Sequence, residues 1–206
     1  MLEPELRSQL GGTDAPKGIE AGKESFTPMP RLLLIALLFL FTSALAEPTA
    51  FFEGSLQVEV PESLRALDQP AIDAMFAGAK SQPGVVLATP DSETRVSITH
   101  AAAPLTVEEL EDTKAALKAR VDGQASDITW VRDEMVTLNG TPWFRLDYDL
   151  GATEEAKRET ILGTSLDGRL LFMVIATPLE DLELMQEELQ SLIGSLRLTQ
   201  ITGTEH

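Results

Sequence analysis

In the stretch Trp143-Phe144-Arg145-Leu146-Asp147-Tyr148-Asp149-Leu150, residues able to do chemistry alternate with apolar ones. An extended strand puts Trp143, Arg145, Asp147 and Asp149 on one face and Phe144, Leu146, Tyr148 and Leu150 on the other. Trp and Arg are favoured anchors of binding surfaces, so Trp143, Arg145 and Asp147 are the candidate binding residues. The same pattern would arise if Trp143 packed beneath a covering helix with Arg145 and Asp147 paired beside it. By the same period, Trp130, Arg132 and Glu134 share a face of the preceding strand. If the Trp143 strand lies near the rim of helix cover, Trp143 and Arg145 are partly exposed. Trp143→Ala would then cost less than ~1.5 kcal/mol, between the surface and core regimes.

Other chemistries find little support. The chain has two histidines and no cysteine. That excludes thiol nucleophiles, thiolate zinc sites, disulfides and the common zinc patterns. His100 ends a strand and precedes Ala101-Ala102-Ala103-Pro104; it reads as a strand-end histidine rather than a general base. Gly163-Thr164-Ser165-Leu166-Asp167-Gly168 superficially matches a nucleophile elbow, but it leads into a strand, whereas the elbow needs a helix. Asp147-x-Asp149-x-Gly151 resembles the start of a calcium loop, yet the glycine falls one place early and Arg158 stands where a bidentate Glu is required. The acids at Glu108, Glu109, Glu111 and Asp112 suit a helix start. No metal, no cofactor and no catalytic residue is expected. A hydrolase using carboxylates alone remains the alternative, since a catalytic pair cannot be picked from so many acids by sequence.

The elements that must position these residues follow from periodicity. Residues 55–60 and 95–99 alternate as half-buried strands, and Val85–Ala88 is a short apolar strand. Pro70 at a first helical position precedes a helical patch at Ile72, Met75 and Phe76. Thr106-Val107-Glu108-Glu109 is a capping box opening a helix with Val107, Leu110, Leu117 and Val121 on one stripe. Strands 128–138 and 143–150 flank Asn139-Gly140, a strong hairpin signal, and strands 158–166 and 169–176 flank Asp167-Gly168. Leu170, Phe172 and Val174 face one way and Leu171, Met173 and Ile175 the other, so the last strand should be central and covered on both sides. Thr177-Pro178-Leu179-Glu180 reads as a second capping box. It opens a helix with Leu182, Met185, Leu189, Leu192, Ile193 and Leu196 on one face. This order predicts an α+β fold: a twisted antiparallel sheet covered by helices, an α-β-α sandwich.

Residues 29–46 carry an address. Arg31, an apolar run from Leu32 to Phe41 and the small-x-small site Ala44-Leu45-Ala46 have the layout of a cleaved signal peptide, with the cut between Ala46 and Glu47. As a helix, Leu32–Ala46 would reach only ~22 Å, short of the ~30 Å hydrocarbon core. Residues 1–28 are acidic on balance and lack apolar periodicity. Translation is therefore expected to start at Met29, leaving residues 47–206 as a single α+β domain. The 206 residues hold 33 acids and 16 bases, a net charge of −17. That surplus argues against nucleic acid, whose phosphates need Lys and Arg.

The succession Leu138-Asn139-Gly140, Trp143 to Tyr148, a third strand, a glycine-turn hairpin, Thr177-Pro178 and a helix running to Ser195-Leu196-Arg197-Leu198 resembles the PsbP-like and Mog-type superfamily, which includes small exported bacterial proteins. The resemblance spans about residues 54–198 in element order, and its most specific part is 136–198. It implies the same α-β-α sandwich and a role in binding or assembly rather than catalysis, and it transfers no functional residue. The expectation is an exported, monomeric, non-catalytic module, periplasmic or secreted, with an unknown protein or envelope component as partner. Membrane contact would follow only if the signal segment stays uncleaved.

Overall fold

A computed structural model describes residues 48–79, 81–124, 127–151 and 156–199. Residues 1–28, the signal-like segment 29–46 and the Ala46–Glu47 junction lie outside the described residues. Strands β1 (Thr49–Phe51) and β2 (Leu56–Val58) pair with β10 (Arg197–Leu198) in a small sheet. A larger antiparallel sheet has the order β3-β4-β5-β9-β8-β7-β6. Its strands are β3 (Arg65–Ala66), β4 (Val85–Ala88), β5 (Arg95–Pro104), β6 (Ile128–Leu138), β7 (Thr141–Leu150), β8 (Lys157–Leu166) and β9 (Arg169–Pro178). The helices are α1 (Gln69–Met75), α2 (Leu110–Asp122) and α3 (Leu182–Ser195). The class is α+β, with helices on an antiparallel sheet. Among the described residues no helix is long and apolar enough to cross a membrane.

Period-2 alternation divides the core in two. Leu146 and Tyr148 of β7 pack with Leu105, Leu110 and Ile161 on the α2 side. Trp143 packs with Leu162, Met173, Ile175, Met185, Leu189 and Ile193 on the α3 side. β9 is the middle strand, as its two apolar faces require. Leu170 and Val174 join the α2-side core, whereas Leu171, Met173 and Ile175 join the α3-side core. Both glycine hairpins form. Asn139 and Gly140 have φ of 47° and 85°, Asp167 and Gly168 of 51° and 71°. Positive φ at both central residues gives the tight turn the twist of flanking strands. Asn139 also reaches out of its turn, since its Nδ2 donates to the Gly194 and Leu196 carbonyls at 2.8 and 2.9 Å. These carbonyls end α3 and have no partner inside the helix.

Three local expectations give way. Val107 stands in a 3-10 turn ahead of α2 and is exposed, although the Thr106–Glu109 capping box does form. The box therefore starts a tight turn one step before the buried stripe begins at Leu110. Thr177-Pro178 does not cap α3. Thr177 and Pro178 complete β9, and α3 starts at Leu182 after Asp181 with no side-chain cap. Trp130, Arg132 and Glu134 do not share one face. The β6–β7 register shifts between Trp130, opposite Tyr148, and Arg132, opposite Asp147. This bulge inserts an extra residue and separates Trp130 from Arg132 across the sheet. Trp130 packs on Tyr148 with ring centroids 5.1 Å apart, under Lys118 and bonded to Asp122. Lys114 and Lys118 of α2 also clamp Asp133 at 2.8 and 2.6 Å, and their hydrogen bonds hold its carboxyl below the usual range.

Tyr148, the single tyrosine of the chain, donates to Glu159 Oε2 at 2.5 Å. Burial, then this bond to a carboxylate, raises its hydroxyl pKa well above the ordinary value. A folded pKa above the unfolded one gives stability that is present below the unfolded value and is lost as pH rises past it. Unfolding free energy should thus fall by up to ~1.4 kcal/mol per pH unit above about pH 10. Tyrosinate absorbance should appear together with loss of far-ultraviolet dichroism. Ionisation near pH 10 in a protein that stays folded would contradict the buried environment of Tyr148.

Candidate functional site

The sheet register builds a polar grid on the α3 face. Arg132 of β6 lies opposite Asp147 of β7, which lies opposite Thr160 of β8, which lies opposite Ile175 of β9. One row along, Asp149 lies opposite Arg158 and Arg158 opposite Thr177. On the other side, Glu134 faces Arg145. Cross-strand neighbours lie only about 4.5–5.5 Å apart at Cβ, so three arginines and their carboxylates are gathered by pairing alone.

Arg145 and Asp147 are nearly as buried as the surrounding core, at 6% and 3% exposure. Arg145 donates from Nε and Nη2 to Asp147, at 2.9 Å to each carboxylate oxygen. Arg158 binds Asp149 in the same two-pronged way, at 2.7 and 2.9 Å, and this bond raises its pKa further. Such planar, bidentate pairs fix the guanidinium orientation. Arg132 is held more loosely, 3.4 Å from both Asp147 and Glu134, with a half-exposed side chain.

A cavity of about 140 Å³ opens here between the sheet and α3. Arg132, Arg145, Arg158 and Asp147 line it, together with Thr160 and Thr177 of the sheet and Gln186 and Gln190 of α3. The helix places Met185, Leu189 and Ile193 over the apolar part of the sheet. Its glutamines fall where the charged strands begin, so close packing gives way at that border. Thr177 is fully buried and, among the described residues, its hydroxyl has no hydrogen-bond partner. A buried hydroxyl without a partner is uncommon, because it forgoes the bond it had in water.

The three sequence-selected residues divide. Arg145 and Asp147 line the cavity. Trp143 does not, and it is 1% exposed within the α3-side core. The expected partial exposure of Trp143 and Arg145 is therefore wrong. β7 has only β6 between it and the sheet edge, but α3 reaches across far enough to bury its inward face. The arrangement is the alternative one, with Trp143 beneath a helix and Arg145 paired with Asp147 beside it. Arg158, Thr160 and Thr177 were missed. The first two come into register only through the β7–β8 connection, whose length fixes no register by itself. Thr177 was masked by its resemblance to a helix cap.

The other motifs have structural partners. His100 Nε2 lies 3.1 Å from the Leu166 carbonyl, and its ring meets Phe52 edge-on. Ser165 donates to the Leu105 carbonyl from within β8, and the following turn enters β9. The two aspartates of the calcium-like segment are taken by Arg145 and Arg158. Among the described residues no group of three or more metal-binding side chains comes together.

No protein-family model matches the sequence, and no curated protein matches it. Solved structures do match in shape. The solution structure of cyanobacterial PsbP (CyanoP) from Synechocystis sp. PCC 6803 aligns with a TM-score of 0.51 at 13% identity, covering 77% of this chain and 96% of that one. The fold is PsbP-like. LpqN of Mycobacterium tuberculosis, involved in cell envelope biogenesis, aligns at a TM-score of 0.48 and 10% identity, covering 74% of this chain and 89% of LpqN. The Ran-binding protein Mog1p of Saccharomyces cerevisiae aligns at 0.43 and 10% identity, over 74% and 94% of the two chains. At 13% identity the fold is what is shared with CyanoP, and chemistry must be read from the cavity.

Proposed function

We propose that residues 47–206 form one exported, non-catalytic binding or assembly domain of the cell envelope, acting as a monomer in the periplasm or outside the cell. Its binding site is the cavity lined by Arg145 and Asp147, with Trp143 as the core residue that supports their strand. The observation that carries this reading is the buried Arg145–Asp147 pair at a packing gap. A helix–sheet interface gains little stability from such a pair, since desolvation offsets most of the attraction. A polar cavity with converging side chains is instead what a recognition site requires. Export rests on the basic, apolar and small-residue layout of residues 29–46.

The test has two parts. Mass spectrometry of protein from the native envelope should show a chain beginning at Glu47, with no species carrying residues before Met29. A chain retaining Leu32–Ala46 would mean an anchored form. Purified residues 47–206 should then retain a specific envelope component on a column, and Arg132→Gln should reduce that retention by about tenfold, the worth of one charged hydrogen bond. Turnover in a hydrolase screen that disappears on replacing a single Asp or Glu would overturn the non-catalytic reading.

A further inference from the structure

We propose that the cavity under α3 is an oxyanion site that takes a small free organic acid or phosphate, held by Arg132, Arg145, Arg158 and the Thr177 hydroxyl. The inference rests on the reading of this cavity as the binding site and adds the class of ligand.

Charge is the first ground. Arg132, Arg145 and Arg158 line the cavity with Asp147, while the other two carboxylates that pair with them, Asp149 and Glu134, stand outside its lining. The state of each guanidinium is the second ground. Arg145 is fixed by Asp147, and Arg158 by Asp149, each through two of its nitrogens. A guanidinium carries five N–H donors, so each retains donors beyond its carboxylate. These two arginines are oriented in advance, which lowers the entropy lost on binding. Arg132 differs. At 3.4 Å from both carboxylates it lies beyond the ~2.7–2.9 Å of a strong charge-assisted bond. It stands half-exposed at the mouth and can turn onto an entering anion.

Thr177 supplies the independent ground. Its hydroxyl is buried, lines the cavity and has no hydrogen-bond partner among the described residues. An oxyanion would accept from it and remove that deficit. Size limits the occupant. The cavity, about 140 Å³, far exceeds the ~10–15 Å³ that admits one water, yet it suits a few heavy atoms rather than a polymer. Thr160, Gln186 and Gln190 add neutral groups around the guanidiniums.

The experiment titrates residues 47–206 with inorganic phosphate and, separately, acetate and citrate, by calorimetry and by the arginine side-chain N–H resonances in NMR. At least one probe should bind saturably, shift the Arg145 and Arg158 resonances, and lose about tenfold or more in affinity in Arg132→Gln, as expected for one charged hydrogen bond. Thr177→Val keeps the shape and removes the hydroxyl. It should weaken the same probe while leaving the fold intact or more stable. Lys118→Gln, on the opposite face of the sheet, should change affinity little. Phosphate binding without the carboxylates, or the reverse, would assign the oxyanion. Lack of saturable binding by every probe would overturn the proposal, as would equal affinity in Arg132→Gln and Thr177→Val. If the envelope component is still retained in that case, only the oxyanion assignment fails. If retention is lost as well, the reading of the cavity as a binding site fails with it.

Discussion

Trp143→Ala should lower the free energy of unfolding by ~3–5 kcal/mol, the range for deleting a buried aromatic. The indole is 1% exposed and packs in the core formed with Leu162, Met173, Leu189 and Ile193. Its loss removes transfer energy and leaves a void that β7, pinned by β6 and β8 on either side, cannot close. Trp143 Nε1 is buried without a partner among the described residues, so part of the indole's contribution is already offset. Trp143→Phe keeps most of the volume and discards that N–H, and should cost far less than alanine. Urea midpoints at unchanged slope decide the matter. A loss below ~1.5 kcal/mol for alanine would restore the exposed placement expected from the strand pattern alone.

The second large effect concerns the charge pair on the same strand. Arg145→Leu should cost ~3–5 kcal/mol, because it leaves the Asp147 carboxylate buried without its principal partner. Arg132, 3.4 Å away, offers partial relief and should hold the loss toward the lower end. The double change Arg145→Leu with Asp147→Leu should recover most of that loss, since neither charge is then desolvated. The signature is strong coupling in a double-mutant cycle, with the double variant more stable than Arg145→Leu. Additive losses would show that each side chain acts through packing. Such a stable double variant would also be a sharp reagent for function, since it removes the buried Arg145–Asp147 pair and leaves Arg158 with Asp149 in place.

How far the sequence leads depends on whether the deciding interaction is local. Asn139-Gly140 and Asp167-Gly168 specify their turns within two residues, and strict alternation along β7 and β9 specifies their faces. With a two-residue turn the pairing of Val136 with Trp143 and Glu134 with Arg145 follows by counting. Counting fails at Val131, where the bulge shifts register, because nothing in Trp130-Val131-Arg132 marks the extra residue. Arg158 and Thr160 join the site through the β7–β8 register, and Gln186 and Gln190 through the docking of α3. These are long-range facts decided by packing. The depth of Trp143 belongs with them, since a strand's pattern states which face it shares but leaves open how far a distant helix extends over that face. Thr177 shows the opposite error, in which a local signal for a cap is overridden by continuation of β9 in the sheet.

Asn139 answers to two demands at once. The hairpin asks for a residue that tolerates a left-handed backbone, which Asn, Asp and Gly all meet. The end of α3 asks for something else, a donor able to reach two carbonyls. Only the amide satisfies both, because glycine has no side chain and a carboxylate would bring acceptor to acceptor. Asp-Gly, interchangeable with Asn-Gly as a turn, is therefore not interchangeable here. One side chain thus couples the handedness of a local bend to the seating of a helix more than fifty positions later. A change there that looks silent in the turn would be felt at the lid of the arginine cavity.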